Sequence, residues 1–174
     1  MRIFILFIAA FFINFNSVQA TELNWELLQD ALKKEKGPKT IESTLEWIKK
    51  NHPENLAAFA LMRQSVSIQK SSPQYPRAIA YGSSARFVFT FNGNPDDDGY
   101  DRIEAIQFRE TGWEFRDIQY DQTGKKSPII SEANPAKCMQ CHYSRPIWEA
   151  YETWPGAYGK FDDSIIDFKN ERYT

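Results

Sequence analysis

Cysteine, histidine and methionine are scarce in this chain, at two, two and three among 174 residues. Two cysteines exclude a disulfide-rich scaffold. Two histidines, one of them inside a C-terminal motif, leave no material for a Ser/His/Asp triad. A closed zinc site built around the cysteines would lack a fourth strong ligand, since the only histidine outside the motif is His52. Basic charge is not in excess either: 21 Lys and Arg stand against 23 Asp and Glu, for a net charge of −2. Without a basic patch, nucleic acid is excluded as a partner. No apolar run is long enough to span a bilayer comfortably, the longest being Ile3 to Ile13.

What is present is concentrated. Both cysteines lie in Cys138-Met139-Gln140-Cys141-His142. This is C-x-x-C-H, the spacing at which haem c is attached. Each thiol can add to one porphyrin vinyl group, two intervening residues let both sulfurs reach neighbouring pyrrole edges, and the adjacent histidine lies under the iron as proximal ligand. Cys138 and Cys141 are therefore the expected attachment residues for covalent heme c, and His142 the expected iron ligand. A thioredoxin-like pair is the main competitor, but such a pair opens a helix after an early βα unit. Here the motif comes late, after an Asn134-Pro135 turn. A Cys138–Cys141 disulfide would close a loop too small to stabilise much.

Residues 1–20 read as a cleavable signal peptide: Arg2 is the charged region, Ile3 to Ile13 the apolar one, and Val18-Gln19-Ala20 the small-residue cleavage site, with cleavage after Ala20. An uncleaved anchor is the alternative. Export suits the motif, because haem c is attached outside the bacterial cytoplasmic membrane. The expected location is periplasmic or secreted, with no stable membrane insertion after cleavage and one domain over 21–174.

Residues 22–66 are expected to be helical. Trp25, Leu28 and Leu32 recur at helical steps, and Gly37-Pro38 ends that segment. Thr40 is the expected N-cap of a second helix bearing Ile41, Leu45 and Ile48. Pro53 is placed to open a third, with Leu56, Phe59, Met62 and Val66 on one face. Residues 67–84 read as loop, with Pro73 and Pro76 as breakers. The period then becomes two: Phe87, Phe89 and Phe91 alternate with Val88 and Thr90, as in a half-buried strand. Ile103 to Phe108 and Trp113 to Tyr120 are the next strands, the latter with a parity shift that suggests a bulge near Arg116-Asp117. Ile129-Ile130 is a short fourth strand. The expected class is α+β: N-terminal helices, an antiparallel β meander, and the haem c motif in a C-terminal loop or short-helix region.

Asn94, Asp96 and Asp98 stand at alternate positions before Gly99, like half of an EF-type calcium loop, but the twelfth position is Ala105 instead of Glu. A solvated hairpin connection is the better reading. Beyond the motif, Arg145, Trp148, Tyr151, Trp154 and Tyr158 suit either an aromatic loop wrapping a haem or ordinary tail packing.

The chain resembles a family of uncharacterised secreted bacterial haem c proteins. The resemblance rests on Leu61-Met62-Arg63-Gln64-Ser65, Pro76-Arg77-Ala78-Ile79, Ala85-Arg86-Phe87 through Asn92-Gly93, Phe115-Arg116-Asp117-Ile118, Asn134-Pro135-Ala136-Lys137-Cys138, and Arg145-Pro146 through Trp154-Pro155-Gly156-Ala157-Tyr158-Gly159. It implies a periplasmic or secreted monohaem cytochrome. Tyr143 stands where a glycine often follows the motif histidine in c-type cytochromes. Two functions follow as expectations. One is one-electron transfer with a redox partner protein. The other is a gas- or small-molecule-binding haem protein, or a haem enzyme, with an open distal position, as in the β-sheet cytochromes c′, which also place strands before a C-terminal motif. Met62 and His52 are the candidate distal ligands, Met62 from the apolar stripe of the third expected helix and His52 from an exposed loop.

Overall fold

The computed structural model describes residues 22–142 apart from 64 and 66. The signal segment 1–20, Val66 and the aromatic tail from Arg145 onward lie outside the described residues. Two helices come first, α1 (Trp25–Lys33) and α2 (Ile41–Asn51). Asn24 caps α1 by accepting the Leu27 N–H. Thr40 caps α2 in a reciprocal box with Ser43, satisfying two N–H groups that the helix itself leaves open.

The third helix expected after Pro53 does not form. Pro53–Leu56 is a single 3-10 turn, and the chain then extends into a strand, β1 (Ala58–Met62). A second correction follows from it. Within the expected loop lies β2 (Arg77–Tyr81), which pairs antiparallel with β1 from Ala58 opposite Tyr81 to Met62 opposite Arg77. The period-three spacing of Leu56, Phe59 and Met62 resembles a helix stripe, but in the strand Phe59 and Met62 point to opposite faces. Phe59 is 61% exposed and Met62 only 1%. Backbone pairing with β2 decides the matter.

The remaining strands are β3 (Phe87–Phe91), β4 (Arg102–Arg109), β5 (Gly112–Gln119) and β6 (Ile129–Ile130). All six form one antiparallel meander in chain order, β1 to β6. The fold is α+β, and no helix among the described residues is long and apolar enough to cross a membrane.

One face of the sheet is covered by α1 and α2. Trp25, Leu28, Leu32, Ile41 and Ile48 join Phe87, Phe89, Ile103, Ala105 and Ile118 in one cluster. Tyr120 reaches up from this face, its hydroxyl 2.9 Å from that of Thr44. The opposite face carries a smaller apolar cluster of Met62, Ile79 and Val88. This two-sided burial corrects two expectations. In β3, Phe87, Val88, Phe89 and Thr90 are all buried, so the strand is not half-buried. In β5 there is no bulge, because pairing with β4 runs unbroken from Gly112 to Gln119. Its parity shift arises because Phe115 and Asp117 are buried on one face and Ile118 on the other. The last described helix is α3 (Ala136–His142).

Candidate functional site

After β6 the chain continues alongside β5. Ser131 donates its N–H to the Asp117 carbonyl (2.9 Å) and accepts the Asp117 N–H on Oγ (3.0 Å). Three residues on, Asn134 does the same at Phe115: its N–H reaches the Phe115 carbonyl (2.8 Å), and its Oδ1 accepts the Phe115 N–H (2.9 Å). Asn134 has φ 55°, a left-handed conformation that asparagine tolerates better than most side chains. That turn launches α3, and the Pro135 carbonyl receives the N–H groups of Cys138 (2.9 Å) and Met139 (3.1 Å).

Helical spacing of three and four residues sets Cys138, Cys141 and His142 on one side of α3. All three line a cavity of about 230 Å³ between α3 and the sheet. Its floor is Ile79, Val88, Ile106 and Phe115, and the ring of Phe115 lies 4.5 Å from that of His142. Both thiols are free, Cys138 half-buried and Cys141 exposed. Burial pushes the Cys138 thiol up to about 11, with Glu104 and Asp117 adding to the rise and Lys137 opposing it. A thioredoxin-type nucleophile needs the reverse, a lowered thiol pKa. That competing reading loses its chemistry here.

The polar wall of the cavity escaped sequence reasoning. Arg77, Thr90 and Glu104 line it, and Gln69 stands behind them. The Arg77 guanidinium donates to Gln69 Oε1 (2.9 Å), Thr90 Oγ1 (2.8 Å) and Glu104 Oε2 (2.8 Å). Burial lowers the Arg77 pKa and Glu104 opposes the fall. The available signal was the alternation of Arg77, Ile79 and Tyr81. Nearer the start of α3, Asp117 takes Lys137 on one carboxylate oxygen, and the same oxygen takes Arg102 Nη1 at 3.3 Å. This pairing ties α3 to β4 and β5.

Of the two candidate distal ligands, Met62 faces the core as its apolar stripe implied, though from a strand instead of a helix, and His52 is placed differently from expectation. Met62 is buried on the cavity side of the sheet, packed with Ile79 and Val88 instead of lining the cavity. His52 is not an exposed loop residue: it closes α2, is 7% exposed, and sets its ring 5.2 Å from that of Trp47. It does not line the cavity either. In the 94–99 connection Asp98 is paired with Lys70 at 2.6 Å, and no cluster of three or more His, Cys, Asp or Glu able to hold a metal ion occurs among the described residues.

The residues present fit covalent haem attachment: two free thiols one turn apart, an imidazole beside the second, and an apolar floor opposite. The cavity is smaller than the roughly 300–1,000 Å³ of an ordinary ligand pocket, so it has room for only part of a macrocycle. Comparison with family models, curated proteins and solved structures yields no match. The family resemblance therefore rests on the quoted residues alone.

Proposed function

We propose that the protein is an exported monohaem c-type cytochrome that transfers single electrons. Covalent heme c is held by Cys138 and Cys141, and its iron by His142. The observation that carries this reading is the convergence of both thiols and the imidazole on one cavity with an apolar floor. Cys138 and Cys141 would hold the haem through thioethers, each S–H adding across a vinyl C=C with the sulfur on one carbon and the hydrogen on the other, so that no oxidant would be consumed. When bound, the iron supplies a one-electron couple set by its axial ligands and its burial. The chain's own residues then do three things. The His142 imidazole donates a nitrogen lone pair, Ile79, Val88, Ile106 and Phe115 exclude water, and the Lys137–Asp117–Arg102 pairing holds α3 on the sheet.

One observation favours a second reading, ligand binding at an open distal position. Neither Met62 nor His52, the two strong neutral side chains left, lines the cavity. The test has two stages. Protein expressed with cytochrome c maturation machinery should retain haem peroxidase staining on a denaturing gel, and Cys138→Ser/Cys141→Ser should abolish it. Stain that persists in the double variant overturns the attachment. Spectra with and without carbon monoxide then separate the functions: a low-spin iron indifferent to carbon monoxide supports electron transfer, and a high-spin iron that binds it supports the open site. Intact mass of the exported protein, expected to begin at Thr21 and carry one haem, checks the signal cleavage and periplasmic or secreted location.

A further inference from the structure

A histidine at the end of a short helix does not have its ring plane set by the helix. The final side-chain torsion of histidine is broad and roughly two-fold, so neighbours must fix it. Among the described residues, Phe115 is such a neighbour. The Phe115 ring lies against the His142 imidazole, centroids 4.5 Å apart and planes 30° from parallel. Phe115 itself has little freedom, being 2% exposed. Both of its backbone polar groups are held by Asn134, at 2.9 Å and 2.8 Å. Asn134 also starts the turn into α3. The strand residue that touches the imidazole is thus the one that anchors the beginning of the helix carrying it. With both ends of a seven-residue helix referred to one residue, the helix cannot rotate over the sheet without breaking one contact.

We propose that Phe115, clamped by Asn134, is a positioning residue for His142: it fixes the plane of the imidazole relative to Cys138 and Cys141. The inference rests on the haem reading above. Its physical content is that axial-ligand orientation tunes a metal site as well as ligand identity does, and that contacts around the ligand set it.

The test uses the full chain in two states and the variants Phe115→Leu, Phe115→Tyr and Asn134→Gly. Glycine adopts φ 55° without strain but removes the Oδ1 acceptor. In haem-free protein, the His142 ring protons should show upfield ring-current shifts in NMR spectra. Phe115→Leu should lose these shifts and Phe115→Tyr should keep them. Asn134→Gly should shift them in the direction of the leucine variant. In oxidised haem-loaded protein, the pattern of haem-methyl paramagnetic shifts reports the imidazole plane. Leucine should alter it and tyrosine restore it, while covalent staining stays unchanged. A leucine variant with wild-type ring shifts and methyl pattern overturns the proposal, as does a tyrosine variant that behaves like leucine. Should Phe115→Leu fail to fold, Asn134→Gly decides, and wild-type spectra there overturn the clamp. Absence of haem staining in the wild type would instead remove the proposed function, leaving the haem-free NMR result standing by itself.

Discussion

Replacing Arg77 by leucine should cost about 3–5 kcal/mol of folding stability, the range for breaking one side of a buried ion pair. The side chains of Arg77 and Glu104 are only 6% and 16% exposed, and they meet at 2.8 Å. Leucine removes the donors to Gln69, Thr90 and Glu104 together. Gln69 Oε1 keeps one donor, the Thr90 hydroxyl at 2.6 Å. The Glu104 carboxylate, 16% exposed, is then left without its cation, and an unsatisfied buried group of this kind costs about 1–3 kcal/mol or more when charged. Residual access of Glu104 to water places the expected loss near the lower end, about 3 kcal/mol. The double variant Arg77→Leu/Glu104→Leu should recover part of it, because an apolar pair on a floor of Ile79, Val88 and Ile106 leaves no orphaned charge. Urea unfolding followed by tryptophan fluorescence and far-UV circular dichroism measures all four corners of the cycle. A single-variant loss under about 1 kcal/mol, or single losses that add in the double variant, would refute the reasoning.

Thr40→Ala should destabilise the protein by about 1 kcal/mol through loss of the α2 cap, read from the urea midpoint, and an unchanged midpoint would contradict it. In haem-free protein, Cys138 should be alkylated by iodoacetamide about 100-fold more slowly when folded than when unfolded in urea, because raising the thiol from 9.0 to about 11 removes that much thiolate. Equal rates by peptide mass spectrometry would rule out the buried placement. On acidification the fold should lose stability. The Glu26 carboxyl is held below its ordinary 4.5 chiefly by the Arg109 guanidinium, and that of Glu42 by its own backbone N–H and the Tyr100 hydroxyl. Carboxyls that bind protons less tightly when folded give stability that is complete above the unfolded value and is lost as pH falls through the folded one. The urea midpoint should therefore drop as pH falls from above the ordinary 4.5 to below it, and a midpoint that rises would reverse the assignment.

By itself the sequence determined those elements whose signal is local. The α1 stripe of Trp25, Leu28 and Leu32 and the Thr40 cap need only helical geometry and a hydroxyl beside an open N–H, and both are found as expected. The strand β3 was legible from its period-two alternation and β4 from the run Ile103 to Phe108, whereas the C-x-x-C-H motif was expected only in a C-terminal loop or short-helix region, and the structure sets it on α3. Tertiary structure alone decided β1 and β2. Ala58–Met62 and Arg77–Tyr81 are rich in alanine, carry weak strand propensity, and become strands because each supplies the other's backbone partners across a long connection. It also decided the parity of β5. Alternation reports the burial of one face, and a strand pressed between a helix layer and a cavity wall has two buried faces to report. The same two-sidedness hid the Arg77–Glu104 pair and the Asn134–Phe115–His142 clamp. Each joins residues far apart in the chain, and alternation within β2 could place Arg77 on a face but could not name the partner that the register of the sheet brings to it.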